Sequence, residues 1–332
     1  MSHSLFRRFF FSVVMLLLLS SCSPPVDQAK PPAGNAETSI VAVRSQATPG
    51  ETETDRLPMT TLQQAATASA SVTLENRLTT ASATATLENR LPPERWQEWP
   101  VIPTVSRTAI NIYQKGLEMG NDPHAFSKVG DCQNIPSYFL GIFDDPQKYR
   151  LDKDDQYLLS TIKNFSGSFS HKSLAVSGGY NVASVLSPLM ADNKQCQKNE
   201  TPLACEIRQH NPSLVIISME TWWSKRPASI YEGYLRQIVD TVIEHGAVPI
   251  LATKADNWEG NHQINAAIAK VAYDYDIPLW NFWLAVQPLP NLGLSNDGFH
   301  LTYGLNEFDN PLAMRSAWPV RNLTALQALD AV

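Results

Sequence analysis

Two short stretches, far apart in the chain, carry residue types that can do chemistry together. The first is Ala125-Phe126-Ser127-Lys128-Val129-Gly130-Asp131-Cys132-Gln133-Asn134. It reads as a short strand running into a tight Gly-Asp turn, with Cys132 presented where the next helix is expected to begin. A thiol near the positive end of a helix dipole is favoured as thiolate, its nucleophilic form. The second stretch, Asp297-Gly298-Phe299-His300, puts an acid three positions before a histidine on one loop near the C-terminus. His300 supplies a base and Asp297 a carboxylate to orient it, so nucleophile, base and orienting group of an acyl-transfer site are all present.

The elements that must position them follow from periodicity. Ser106 to Met119 has apolar residues at helical spacing, and Gly120-Asn121-Asp122-Pro123 stops it before the strand that carries Cys132. Ser173 to Ser177 is expected as a short strand ending at Gly178-Gly179, where the backbone can approach a ligand closely. Leu214 to Met219 is a continuous apolar run, as in a strand buried on both faces of a parallel sheet, and Glu220 stands at its end. Ile230 to Ile243 recurs at helical spacing until Gly246. Ala247 to Ala252 is the next strand, Ile264 to Tyr275 another amphipathic helix, and Pro278 to Trp283 a last strand. Helices alternating with short apolar strands predict an α/β fold, a mostly parallel sheet covered on both faces, with ligands gathering at the carboxyl ends of the strands. Cys132, Gly178, Gly179, Glu220 and His300 all fall at such ends.

In order and spacing, residues 100–305 resemble the SGNH/GDSL hydrolase family, in which a nucleophile follows Gly-Asp near the start of the domain and an Asp-x-x-His pair closes it. The resemblance implies a three-layer α/β/α sandwich of flavodoxin-like type, an esterase activity with Cys132, His300 and Asp297 as catalytic residues, and an oxyanion site containing the Gly178 or Gly179 N–H. Two departures stand out. The family's nucleophile is serine where this chain has Cys132. Its third block reads Gly-x-Asn, the asparagine donating to the oxyanion, where this chain has Ser218, Met219 and Glu220. An ionised Glu220 would repel the oxyanion, whereas a protonated one donates to it.

The N-terminus carries Arg7 and Arg8, then an apolar run from Phe9 to Leu19 that is too short for a comfortable membrane span. Its ending, Leu19-Ser20-Ser21-Cys22, resembles the lipobox of bacterial lipoproteins, which implies a signal peptide over 1–22, lipid on Cys22 and a membrane-anchored, extracytoplasmic protein. Residues 23–94 are rich in Ala, Thr, Ser and Pro and poor in bulky apolar residues, as in a disordered tether. Within it the hexapeptide Thr73 to Leu78 recurs as Thr86 to Leu91. Aromatics and prolines enter together near Arg95-Trp96, so the folded domain is expected over 95–332.

The chain contains 4 cysteines. With Cys22 lipidated, an oxidising compartment favours one disulfide among the rest. Cys196 and Cys205, close together around a loop-like insert, are the natural pair, and Cys132 is then the odd thiol; pairing of Cys132 with either is the competing arrangement. A formal net charge of −6 gives no electrostatic reason to expect nucleic acid. His124, His171, His210, His245 and His262 lack metal-ligand spacing and read as surface or cap residues, so neither metal nor cofactor is expected. Trp222, Trp223 and Trp258, near strand ends, are suited to stacking on a sugar. The expected function is therefore a surface-tethered hydrolase of ester bonds, acyl groups of polysaccharide among its substrates. The alternative is a catalytically inactive module of the same fold that binds envelope glycan.

Overall fold

The computed structural model describes residues 90–219 and 226–332. Cys22, Glu220, Trp222 and Trp223, together with the segment expected as a signal peptide and nearly all of the one expected as a tether, lie outside the described residues. The described chain is a mixed α/β fold built on a four-stranded, all-parallel sheet in the order β1-β2-β3-β4. The strands are β1 (Asp122–Gly130), β2 (Pro212–Ser218), β3 (Val248–Ala252) and β4 (Leu279–Trp280). The helices are α1 (Arg107–Met119), α2 (Leu159–Asn164), α3 (Pro202–His210), α4 (Ala228–Glu244), α5 (Gln263–Asp274), α6 (Phe282–Val286) and α7 (Ala317–Ala331). No described helix is long and apolar enough to cross a membrane.

The apolar runs read in the sequence account for the sheet. Every residue of β2 and β3 is buried, as strands with helices on both faces require. On one side α1 packs against β2 and β3, and α7 against β4 and α2. On the other, α3 meets β1, α4 meets α3 and β3, and α5 meets α4 and β3. This is the expected three-layer α/β/α sandwich. Helix α1 begins where Ser106 caps it, its Oγ accepting the Ala109 N–H at 3.0 Å, and ends at Gly120, which takes the left-handed conformation.

Two expected strands differ from what is observed. Ser173 to Ser177 forms a single bridge, Val176 to Gly130, rather than a strand. The Ser173 hydroxyl donates to Lys128 O at 2.6 Å and accepts the Ala175 N–H at 3.1 Å, so a side chain takes the place of ladder hydrogen bonds. The last strand stops at Trp280 because Asn281 turns the chain. Its Oδ1 accepts the Leu284 N–H at 3.3 Å, starting α6, and its Nδ2 donates to Trp96 O and Trp99 O, both at 3.0 Å.

The bridge to Val176 decides where the site lies. Gly130 pairs with Val176 on its outer side and with Ser218 of β2 on its inner side. The chain therefore leaves β1 toward one edge and returns past it to form β2, a topological switch point of flavodoxin-like order. In open parallel sheets such a point opens a crevice beyond the carboxyl ends of the strands. Cys132 sits there.

Candidate active site

Gly130 ends β1 with its two hydrogens as a requirement. A Cβ at this position would lie 2.0 Å from Asn134 Nδ2 and 2.5 Å from Ser218 O. The space is taken because the Asn134 amide crosses beneath the strand end and donates to Ser218 O at 2.8 Å, pinning the Cys132 turn to β2. Asp131 is fully buried and accepts the Gln133 N–H at 2.9 Å. Cys132 is half-buried. The element that follows it is a three-residue 3-10 turn, Cys132–Asn134, rather than the expected helix. So short a turn has no macrodipole of consequence, and the expected source of thiolate stabilisation is absent.

A buried cation holds the residues that follow Cys132. Arg321, fully buried on α7, donates to Gln133 Oε1 at 3.2 Å, to Asn134 Oδ1 at 3.4 Å and to Ser218 Oγ at 2.6 Å. Its guanidinium lies over the rings of Phe139, Phe282 and Trp318, at 4.6, 5.4 and 5.5 Å from their centroids. Sequence reading missed Arg321. The signal for it was a lone arginine among the apolar residues of Ala317 to Ala331, which show no one-sided pattern, where a charge is retained only with a built surround.

Of the two expected oxyanion glycines, Gly178 is the one near Cys132: a Cβ built on it would stand 3.9 Å from Cys132 Cβ. Gly179, with φ +82°, makes the turn that follows. The Ser177 N–H donates to Gly130 O at 3.4 Å and holds this turn to the strand end.

The Asp297–His300 loop is set by its own backbone. One Asp297 oxygen accepts the N–H groups of Phe299 and His300, at 3.0 and 2.9 Å, and the other meets His300 Nδ1 at 2.6 Å. Partial burial pushes the Asp297 carboxyl up, but the His300 ring and the two N–H donors outweigh it and hold it at about 2. The carboxylate is ionised across the working pH range, and Nδ1 is committed to it, which leaves proton transfer to Nε2.

Helix α7 links the two motifs. Thr302, two residues beyond His300, accepts the Ala317 N–H on its hydroxyl at 2.9 Å and the Trp318 N–H on its carbonyl at 3.1 Å. Arg321, one turn further on, holds the residues that follow Cys132. Four residues of helix rise by about 6 Å, so both anchorages fall on the first turns of one helix.

Beside His300 lies the tip of the loop after β3. Trp258, 66% exposed, has its ring 5.4 Å from that of Phe299. Behind it Lys254 is buried between Asp256 and Glu259, its Nζ donating to them at 2.6 and 2.7 Å. Burial pushes the Asp256 carboxyl up against the pull of the Lys254 charge.

The histidines expected as surface or cap residues include His262, the N-cap residue of α5, and His210, the last residue of α3; these two and His171, all half-buried, also make ring contacts. His171 and His210 stack with ring centroids 3.8 Å apart. His171 Nε2 meets the buried Glu206 at 3.0 Å, and His210 Nε2 donates to Phe126 O at 3.1 Å. His262 packs between Trp96 and Trp283. Long-range packing partly covers these rings, and no local pattern announces it. In the same region Lys128 is fully buried, donating to Phe169 O at 2.6 Å, and burial pushes its ammonium down to about 7.

Cys196 and Cys205 form a disulfide, as expected, and Cys132 takes no part in it, which removes the competing arrangement. Among the described residues the cluster of potential metal ligands is Cys196, Glu200 and Cys205, and two of its three donors are bonded to each other. No protein-family model matches the sequence, and no curated protein matches it.

Proposed function

We propose that this protein is an SGNH/GDSL-like hydrolase of ester bonds, with Cys132 as nucleophile, His300 as base and Asp297 as the residue that orients it. The observation that carries the reading is the Asp297–His300 pair, with Nδ1 held at 2.6 Å by a carboxylate that two backbone N–H groups fix in place. Support comes from the position of Cys132 at the switch point of the sheet, with Gly178 beside it and Arg321 bonded to the residues that follow it. A buried positive charge there favours thiolate.

The chemistry balances as two acyl transfers. His300 Nε2 takes the thiol proton while Sγ bonds to the ester carbonyl carbon, and the carbonyl π pair moves onto oxygen. N–H groups at Gly178 and Cys132 receive that oxyanion. Its collapse breaks the C–O bond, and the leaving alkoxide takes the proton from His300. Water then repeats the sequence on the thioester, giving the acid and restoring the thiol. Acyl groups on a polysaccharide are the proposed substrates, and the lipobox-like Leu19-Ser20-Ser21-Cys22 motif, with the disulfide, supports an extracytoplasmic, lipid-anchored location.

The test is a titration of the protein with a thiol-alkylating reagent across pH while hydrolysis of p-nitrophenyl acetate is followed. Alkylation and loss of hydrolysis advancing in step, both absent from Cys132→Ala, is the expected result. An inert thiol with no turnover would remove the hydrolase reading and leave a binding module of the same fold.

A further inference from the structure

A cleft of about 600 Å³ opens between the segment that follows the Cys132 turn, Ser137 to Arg150, and the segment that follows His300, Tyr303 to Glu307. Its size falls in the range of small-molecule sites, and its lining begins five residues beyond Cys132 and three beyond His300 in the chain. Neither loop motif predicts its lining.

One wall is aromatic. Tyr138 and Trp318 stack with centroids 5.6 Å apart and planes 25° apart, presenting a broad apolar face. Across from them Tyr303 is 76% exposed and Leu305 57% exposed, apolar surface that folding leaves in water. The rest of the lining is polar. Asn322 Nδ2 donates to Asn306 Oδ1 at 2.9 Å, so the Asn306 amide is oriented from behind. The cations are already neutralised: Arg150 meets Glu307 at 3.1 Å and Asp309 at 2.9 Å, and Lys148 meets Asp145 at 3.2 Å.

These features select among ligand classes. A phosphate-rich or uronate polymer would find its cations occupied, and a fatty acyl chain would leave amides and ion pairs desolvated without partners. A sugar ring has the matching chemistry, an apolar C–H face for the aromatic wall and an edge of hydroxyls that donate and accept. We infer that this cleft binds a neutral oligosaccharide, and that it seats the glycan part of the substrate. The second half of that inference rests on the hydrolase reading; the binding itself does not.

The test uses the full chain carrying Cys132→Ala, which holds a ligand without cutting it. Calorimetric titrations would be run with cellohexaose, chitohexaose, mannohexaose and xylohexaose, and with hexagalacturonate as the anionic counterpart. At least one neutral hexasaccharide is expected to bind saturably, hexagalacturonate to bind more weakly, and Tyr303→Ala to lose roughly tenfold in affinity for the neutral ligand. Tyr303 is mostly solvent-exposed, so its removal leaves the fold intact, which an unchanged thermal melt would verify. Absence of binding by all four neutral sugars, equal binding of hexagalacturonate, or an unaffected Tyr303→Ala would each overturn the inference. The two readings separate cleanly. Hydrolysis of p-nitrophenyl acetate by the unmutated chain without any sugar binding removes the glycan cleft and keeps the hydrolase. Sugar binding without hydrolysis keeps the cleft and removes the hydrolase.

Discussion

At the scale of single residues, the candidate site depends on atoms that cannot be moved. Gly130 is the sharpest case, since a Cβ there would lie 2.0 Å from the Asn134 amide that ties the Cys132 turn to β2. Gly130→Ala is expected to cost about 3 kcal/mol, the upper part of the range for overpacking, read as a lower urea midpoint at unchanged slope. Asp297→Asn makes a different prediction. The amide oxygen still accepts the Phe299 and His300 N–H groups, so the loop keeps its shape, but the ring loses the carboxylate that sets its tautomer. Ester hydrolysis should fall on the order of 10²- to 10⁴-fold with the thermal melt unchanged. Because the carboxyl is held at about 2, any acid limb of the wild-type rate profile above pH 3 must come from another group. A limb that follows Asp297 itself would count against this geometry.

At the scale of elements, α7 does what neither candidate motif can do alone. Its first turns receive Thr302 through Ala317 and Trp318, and send Arg321 to Gln133, Asn134 and Ser218. The positions of Cys132 and His300 thus share one rigid support. Arg321→Met keeps most of the volume and the contact with Phe139, but removes the hydrogen bonds to Gln133, Asn134 and Ser218. A loss of roughly 2–4 kcal/mol is expected. Thiol alkylation should slow at pH 7 as well, a readout that loss of stability alone would not move while the protein stays folded. Unchanged alkylation kinetics would confine Arg321 to a packing role.

At the scale of the whole molecule, Lys128 makes global stability depend on pH in the alkaline range. Its ammonium is pushed down to about 7 in the fold, against about 10.4 in an unfolded chain. Between those values the unfolded state binds the extra proton, so its contribution to stability rises with pH from about 7 to about 10 and is flat below. The rise is of the order of a few kcal/mol. Lys128→Met should abolish it, so the wild type, measured by urea unfolding at pH 7 and pH 9.5, gains stability relative to the variant. Equal pH dependence in the two proteins would show that Lys128 titrates normally.

How much of this was legible in the sequence follows the range of the interactions involved. The alternation of apolar strands with amphipathic helices is a local pattern, and it specified the parallel sheet and its two covering layers, because backbone periodicity and burial leave few other arrangements. Gly-Asp-Cys and Asp-x-x-His are local too: the second builds its own hydrogen bonds within four residues, and Cys196 and Cys205 are close enough in sequence to find each other. The two misjudged strands mark where a local side chain, Ser173 or Asn281, outcompeted the ladder. Arg321, the burial of Lys128, the His171–His210 stack, the closeness of Gly178 to Cys132, and the cleft between residues 137–150 and 303–307 were not legible. Each joins segments from about forty to nearly two hundred residues apart, and α7 carries no one-sided pattern to say what it faces. Sequence alone determined that Cys132 stands at the end of a parallel strand, since periodicity and turn chemistry act over a few residues. Tertiary structure decided which groups meet, because that depends on the packing of distant surfaces.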